Sequence, residues 1–198
     1  MSQPKIAKFN LPSPLLQDGS SMAASILQKH CHPTPKPSPP PKTNTSRQGR
    51  EFQRYTSSGA RLTCGTIPVT RNGEILMCSS YRKSEWIIPK GGWETDETME
   101  EAALRESYEE CGVAGRLSDP LTPVSFESKK KGGNPGTMCE LHPYVLYVEE
   151  VFEAWPEDGR ARKVVSLDEA IDITSKQGRE ELSHVLREVR EKQIHLKG

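Results

Sequence analysis

No stretch of this 198-residue chain approaches the roughly 20 consecutive apolar residues that a membrane helix requires. The opening residues, MSQPKIAKFNLPSPLL, also lack the continuous apolar core of a secretory signal. Cysteine is scarce: Cys31, Cys64, Cys78, Cys111 and Cys139 are odd in number and show no CxxC spacing. Free thiols in a reducing compartment are therefore expected, not a disulfide framework. His30-Cys31-His32 has no second ligand pair, which weakens it as a zinc motif. Aromatic residues make up only 6%, so few side chains are available to sandwich a nucleobase, with Trp93 as the exception. The first 48 residues hold a single acid, Asp18, against six basic residues. They are thus acid-poor like a mitochondrial presequence, but they have little arginine, and their many prolines oppose an amphipathic helix. A cytoplasmic location is expected, with the nucleus as a second site.

What is present divides the chain in two. Formal charge is zero, yet the first 48 residues carry +5 and the remainder −5. A mildly acidic body argues against broad nucleic-acid binding, and no specific nucleic-acid partner is expected. Nine of the 16 prolines fall in residues 1–41, ending in HPTPKPSPPPK. With so few apolar residues to offset ordering entropy, residues 1–48 read as a disordered tail with polyproline II character. Its PxxP spacing suits an SH3- or WW-type partner, beside the plainer reading of a linker.

From residue 49 the texture is that of one folded domain, 49–198. Arg61–Thr70 and Glu74–Ser80 read as strands joined by the turn signal Arg71-Asn72-Gly73. Trp86-Ile87-Ile88 is a short apolar run stopped by Pro89. A helix is expected from Asp96 as N-cap to Gly112 as stop. Further strands are expected at Leu121–Glu127, Cys139–Val148 and Val164-Val165, with the exposed loop KKKGGNPG between the first two. A closing helix spans 179–193, with Leu182, Val185, Leu186 and Val189 three and four apart. Mixed strands with two good helices imply an α/β sandwich, a sheet covered by helices.

The first helix poses a problem. Glu106, Glu109 and Glu110 share one face at i, i+3 and i+4, where like charges repel by a few tenths of a kcal/mol per pair. A solvated acidic face balanced by Arg105 is the plain explanation. Three features favour another: Gly91-Gly92 permit close backbone approach to a ligand, Lys90 offers a phosphate a point charge, and the spacing is itself specific. Magnesium takes oxygen ligands and is commonly held by one or two carboxylates plus substrate phosphates. Such a cation would offset the repulsion.

Gly91, five residues, Glu97, seven residues, then Arg105-Glu106-Ser107-Tyr108-Glu109-Glu110-Cys111-Gly112-Val113 resembles the Nudix box, G-x5-E-x7-R-E-U-x-E-E-x-G-U. The one departure is Ser107, where a bulky aliphatic residue is usual. The resemblance implies the Nudix fold, an α/β/α sandwich with a mixed sheet, and metal-dependent hydrolysis of a diphosphate linked to another group. By position, Glu106 and Glu110 would bind magnesium, with manganese as an alternative. Glu109 would take a proton from the attacking water or complete the metal shell. Arg105 and Glu97 would brace loop and helix, and a backbone carbonyl near Lys90 or Gly91 would add a ligand.

Outside the box, Gly49-Arg50-Glu51, Gly59-Ala60-Arg61-Leu62, Ser79-Ser80 before Trp86, WIIPKGG, and Phe152–Glu157 followed by Gly159–Lys163 resemble the diphosphoinositol polyphosphate phosphohydrolases. The likeness is nearest to their fungal members, which also cleave diadenosine polyphosphates, and spans about residues 49–172. It implies a small-molecule polyphosphate as substrate. Arg50, Arg61, Ser79, Ser80, Arg82, Lys90, Gly91 and Gly92 would contact phosphate from one side, and Lys129–Lys131, Arg160 and Arg162 from the other. Tyr81 stands where some relatives are basic. Two alternatives remain open: another substrate, such as ADP-ribose or capped RNA, and a catalytically silent module that binds inositol pyrophosphates.

Overall fold

The structure, a computed structural model, describes residues 45–47, 49–128 and 137–196. The proline-rich segment up to residue 44, the His30-Cys31-His32 triplet and the Lys129–Lys131 loop lie outside the described residues. Strands β1 (Arg61–Val69), β2 (Ile75–Ser79), β3 (Trp86–Ile87) and β4 (Lys90–Gly92) precede helix α1 (Met99–Cys111). Then come β5 (Val113–Leu117), β6 (Val124–Glu127), β7 (Met138–Val151), β8 (Arg162–Val165), α2 (Leu167–Lys176) and α3 (Glu180–Glu191), closed by a 3-10 turn at Ile194–Leu196.

The eight strands form one mixed sheet with a central path β3-β2-β1-β7-β5. β4 pairs with β1, β6 with β7 and β8 with β2. The β1–β7 pairing is parallel, from Arg61 opposite Cys139 to Val69 opposite Tyr147, and the other pairings are antiparallel. Successive side chains of β1 face opposite sides, as strand geometry demands. Cys64 packs with Ala102, Ala103 and Tyr144 beneath α1. Ile67 and Val69 join the larger core that holds Leu182, Val185, Leu186 and Val189 of α3. The expected sandwich is thus present, with three α-helices where the sequence pattern suggested two. No helix among the described residues is long and apolar enough to cross a membrane.

Thr98, not Asp96, caps α1. Its side chain accepts from Glu101 N while the Glu101 carboxylate accepts from Thr98 N, a reciprocal capping box. Asp96 instead pairs with Arg47 at 2.9 Å. At the other end Gly112 adopts φ 60°, and its N–H closes the last turn on Ser107 and Tyr108 carbonyls. A Cβ there would sit 2.7 Å from the Trp155 ring, so glycine is required twice over at this position.

Candidate active site

Helix α1 buries charge. Arg105, Glu106, Glu109 and Glu110 are all buried, which is tolerable only with partners for each. Arg105 supplies several. Its Nε and Nη2 form a fork on Glu97, at 2.9 and 2.8 Å. Nη2 also donates to the Gly92 carbonyl at 2.9 Å, and Nη1 donates to Glu106 Oε1 at 2.7 Å. Nη1 lies 3.4 Å from Glu109. Glu97 in turn accepts from Glu94 N, while its carbonyl accepts from Trp93 Nε1. The glycine turn, the loop after it and α1 are therefore joined through one guanidinium.

Gly91 lets that joint close. A Cβ at Gly91 would fall 2.1–2.3 Å from the Glu106 carboxyl atoms, so only a hydrogen fits between strand β4 and that side chain. Gly92 is similarly filled by Gln53, whose amide would lie 2.2 Å from a Cβ there. Gln53 Oε1 accepts from Arg61 Nη1 at 3.1 Å, which links the start of β1 to the glycine turn.

Glu110 is held from two sides. Lys90 N donates to Oε2 at 3.0 Å, and Arg160 Nη2 donates to Oε1 at 2.6 Å. Arg160 also binds Glu157 through Nε at 2.7 Å and the Ser79 carbonyl through Nη1 at 3.2 Å. Glu109 accepts from the Arg47 backbone N–H at 3.3 Å, while the Arg47 side chain pairs with Glu94 and Asp96. Arg47 lies before residue 49, the expected start of the domain, so the contacts of the acidic helix begin at least two residues earlier.

Electrostatics follow from this burial. Desolvation pushes all three glutamate pKa values up; Glu110 and Glu109 push Glu106 further, and Arg105 opposes the rise. For Glu110 the opposing charges are Arg160 and Lys90; for Glu109, Arg105 and then the Arg47 N–H oppose. Each carboxylate still resists ionisation. Burial works against charge on Arg105, but Glu97 and Glu106 more than offset it, and its pKa rises.

The other candidates fall into two groups. Lys90, Gly91, Gly92, Arg61 and Arg160 gather around the helix face and the glycine turn. Arg50 and Arg82 are exposed and make no ion pair among the described residues. Ser80 is half-buried, its hydroxyl accepting from Glu85 N at 3.3 Å. Ser79 is buried, and its hydroxyl accepts from Ala161 N at 3.0 Å; its side chain is spent on joining β2 to the segment between Arg160 and β8. Arg162 points away from the glutamates. Its Nη1 donates to the carbonyls of Cys111, Gly112 and Phe152, and its guanidinium stacks 4.1 Å over Trp155. The Cys111 and Gly112 carbonyls lie at the negative end of α1, which attracts a cation, so Arg162 caps a helix in this arrangement. Trp93 is occupied as well, under Arg54 at 4.7 Å and edge-on to His142.

Ser107, the departure from the motif, is fully buried. It donates to the Ala103 carbonyl at 2.7 Å and pairs with Thr66 Oγ1 of β1 at 2.7 Å. A polar pair has replaced an apolar contact, with both hydroxyls satisfied. The residues that sequence reasoning passed over are Arg47, Gln53 and Glu157. Only Glu157 left a signal, three positions before Arg160.

Among the described residues no three His, Cys, Asp or Glu side chains converge on a ready-made metal cage. The donor set nevertheless fits a hard divalent cation. It is all oxygen, it is buried, and its raised pKa values mark charge that an added cation would relieve. Magnesium needs only one or two such carboxylates besides water and phosphate.

Residues 60–189 match the family model described as NUDIX domain. The chain belongs to the Nudix family, hydrolases of pyrophosphate bonds that generally use a divalent metal such as magnesium. It is 40% identical over 177 residues to "Nudix hydrolase 21, chloroplastic" of Arabidopsis thaliana, covering 85% of this chain and 87% of that one. It is 33% identical over 117 residues to "Diphosphoinositol polyphosphate phosphohydrolase 2" of Mus musculus, covering 57% of this chain and 61% of the mouse protein. Among solved structures it resembles the binary complex of a C. elegans Ap4A hydrolase, with a TM-score of 0.52 and 20% identity. That match covers 68% of this chain and 98% of the other, a likeness of fold.

Proposed function

We propose that the chain is a magnesium-dependent pyrophosphohydrolase that cleaves phosphoanhydride bonds of diphosphoinositol polyphosphates and diadenosine polyphosphates by water attack on phosphorus. The observation that carries the reading is the buried row Glu106–Glu109–Glu110, closed by Gly91 and bordered by Lys90, Arg61 and Arg160. In this reading Glu106 and Glu110 hold magnesium, or manganese in its place, with Glu109 beside them. The bound cation supplies neutralisation of the charge that builds on phosphate oxygens and a lower pKa for water. Glu109, whose carboxyl already sits above the usual range through burial, accepts the proton of the attacking water. Arg105 keeps Glu106 and the glycine turn in register through the contacts described above. Lys90, Arg61, Arg50, Arg82 and Ser80 contribute donors to the substrate phosphates, while Ser79 contributes by holding Arg160 and Ala161 in place.

The mouse relative, named for diphosphoinositol polyphosphates, supports an inositol pyrophosphate as substrate; the worm protein, an Ap4A hydrolase, concerns a dinucleoside polyphosphate on the same fold. Trp93 is already stacked under Arg54, which favours a site that reads phosphate, whereas the exposed Phe52 and Tyr81 are aromatic faces left for a nucleobase. A cytoplasmic site of action belongs to the same proposal. The buried free Cys64, Cys78, Cys111 and Cys139 fit any reducing compartment, an organelle matrix included. The SH3- or WW-type partner of the tail rests on sequence alone.

The decisive experiment is a turnover panel with diphosphoinositol pentakisphosphate, diadenosine hexaphosphate, ADP-ribose and capped RNA, run with magnesium and with manganese. Orthophosphate release from the first is expected, and Glu109→Gln is expected to slow it by about 10²-fold or more with the fold retained. Preference for ADP-ribose or cap would replace the substrate assignment. Tight binding of the inositol compound without phosphate release would mark a silent module.

A further inference from the structure

Three carboxylates on α1 are each held by the chain's own donors, but not in the same way. Arg105 is fixed at several points: Glu97 through a fork, the Gly92 carbonyl, and Glu106. Arg160 is built differently. Its Nη2 lies 2.6 Å from Glu110 Oε1 and 2.6 Å from Glu157 Oε2, and its Nε makes a second bond to that same Glu157 oxygen at 2.7 Å. Nη1 reaches the Ser79 carbonyl at 3.2 Å. The guanidinium therefore has two anchors, Glu157 and Ser79, that do not depend on Glu110. Its side chain is 9% exposed, and that of Glu110 11%.

Glu110 offers a cation little room otherwise. Oε2 already accepts from Lys90 N, a backbone bond fixed by the β1–β4 pairing of Gly65 with Lys90. Oε1 is taken by Arg160. Two cations cannot share one carboxylate oxygen at low dielectric without strong repulsion. A divalent ion that takes Oε1, the oxygen with no backbone donor, therefore competes with Arg160 for it.

We propose that Arg160 is a displaceable counter-ion of Glu110. It neutralises that carboxylate while no divalent cation is bound, yields it when one arrives, and stays at the site on Glu157. The donor given up by Glu110 then becomes available to a phosphoryl oxygen of the substrate. A guanidinium has five N–H donors in a planar fork, so changing one partner while keeping the others is within its repertoire. Metal loading and phosphate capture are thereby coupled through one side chain, and such a coupling must act in both directions. The inference rests on the reading of Glu110 as a metal ligand.

The test is calorimetric titration of magnesium into the metal-stripped full chain, comparing wild type with Arg160→Gln, Arg160→Lys and Lys90→Gln at constant ionic strength. Lys90→Gln removes a positive charge near Glu110 without touching the Lys90 N–H, and so measures the field effect alone. Arg160→Gln is expected to bind magnesium about ten-fold tighter, within the range of typical site-to-site couplings, and to unfold at lower urea when stripped of metal. Arg160→Lys is expected to fall between Arg160→Gln and wild type. Imidodiphosphate affinity is expected to rise with magnesium in wild type and to rise less in Arg160→Gln. Magnesium affinity unchanged or weakened in Arg160→Gln, or matched by Lys90→Gln, overturns the inference alone. Failure of the wild type to take up magnesium overturns the underlying reading and this inference with it.

Discussion

Replacing Gly91 by alanine tests how closely β4 and the acidic helix are fitted. The new methyl carbon would stand 2.1 Å from Glu106 Oε1 and 2.2 Å from its Cδ, where ordinary contact begins at 3.4 Å. The neighbour is the end of a side chain, so the carboxylate can swing aside, but it then gives up its 2.7 Å bond to Arg105. Losing a hydrogen bond between charged groups costs about 1.5–3 kcal/mol. Gly91 has no positive φ, so alanine adds no backbone strain and instead gains about 0.4–1 kcal/mol by restricting the unfolded chain. The net expectation is a loss of about 1–2 kcal/mol, or about 0.5–1 M in urea midpoint at a typical slope. Magnesium affinity should weaken alongside, because Glu106 is turned away. Urea denaturation of Gly91→Ala, Glu106→Ala and the double variant separates the causes. Once Glu106 is truncated the methyl has space, so the double variant should be no less stable than Glu106→Ala alone. Full stability in Gly91→Ala, or simple additivity in the double, would refute the fitted-joint argument.

Further outcomes follow from the same contacts. The native pKa values of Glu106, Glu109 and Glu110 lie above the ordinary 4.5, so the native state binds more protons than the unfolded one above that pH. The contribution of these three carboxyls to the stability of the metal-free protein is therefore fully present below pH 4.5 and should be lost between pH 5 and 8, with saturating magnesium flattening the decline in thermal melts. Glu188, whose pKa is lowered, acts in the opposite sense but only below that window. Ser107→Val should strand the Thr66 hydroxyl and cost about 1–3 kcal/mol, while adding Thr66→Val should recover most of it. Arg162→Ala should remove the cap on the end of α1 and its stack on Trp155, lowering the melting temperature while the ranking of phosphate substrates stays unchanged. A change in that ranking would return Arg162 to the substrate side.

The acidic site was legible because its signal is local: residue types and helical spacing within 97–112 suffice to put the glutamates on one face. The long strands and α3 were legible for the same reason, the strands as runs rich in β-formers bounded by turn signals and α3 through its three/four spacing. β5 was not. Its VAGRL is short and carries glycine at an inward position, and it is a strand because β7 pairs with it. β4 is Lys90-Gly91-Gly92, which reads as a turn until β1 supplies its partner. For α1 the sequence holds two good caps two residues apart; Thr98 prevails because Glu101 can reciprocate and Arg47 occupies Asp96. Arg105 was legible as a counter-charge, but the partners beyond the helix were not: the Arg47 backbone N–H meets Glu109 across 62 positions and Arg160 meets Glu110 across 50, distances that only the assembled sheet spans.

The parallel seam of β1 and β7 has a consequence for the chain's birth. Thr63 and Glu140, bonded across it, are 77 positions apart. At about 5–20 residues per second, a ribosome takes roughly 4–15 s to cover that distance. Throughout that interval β1 has one open edge, and the helix bearing the glutamates has no finished floor beneath it. Nascent protein interrupted before Val145 would expose that apolar edge and be a natural client for chaperones.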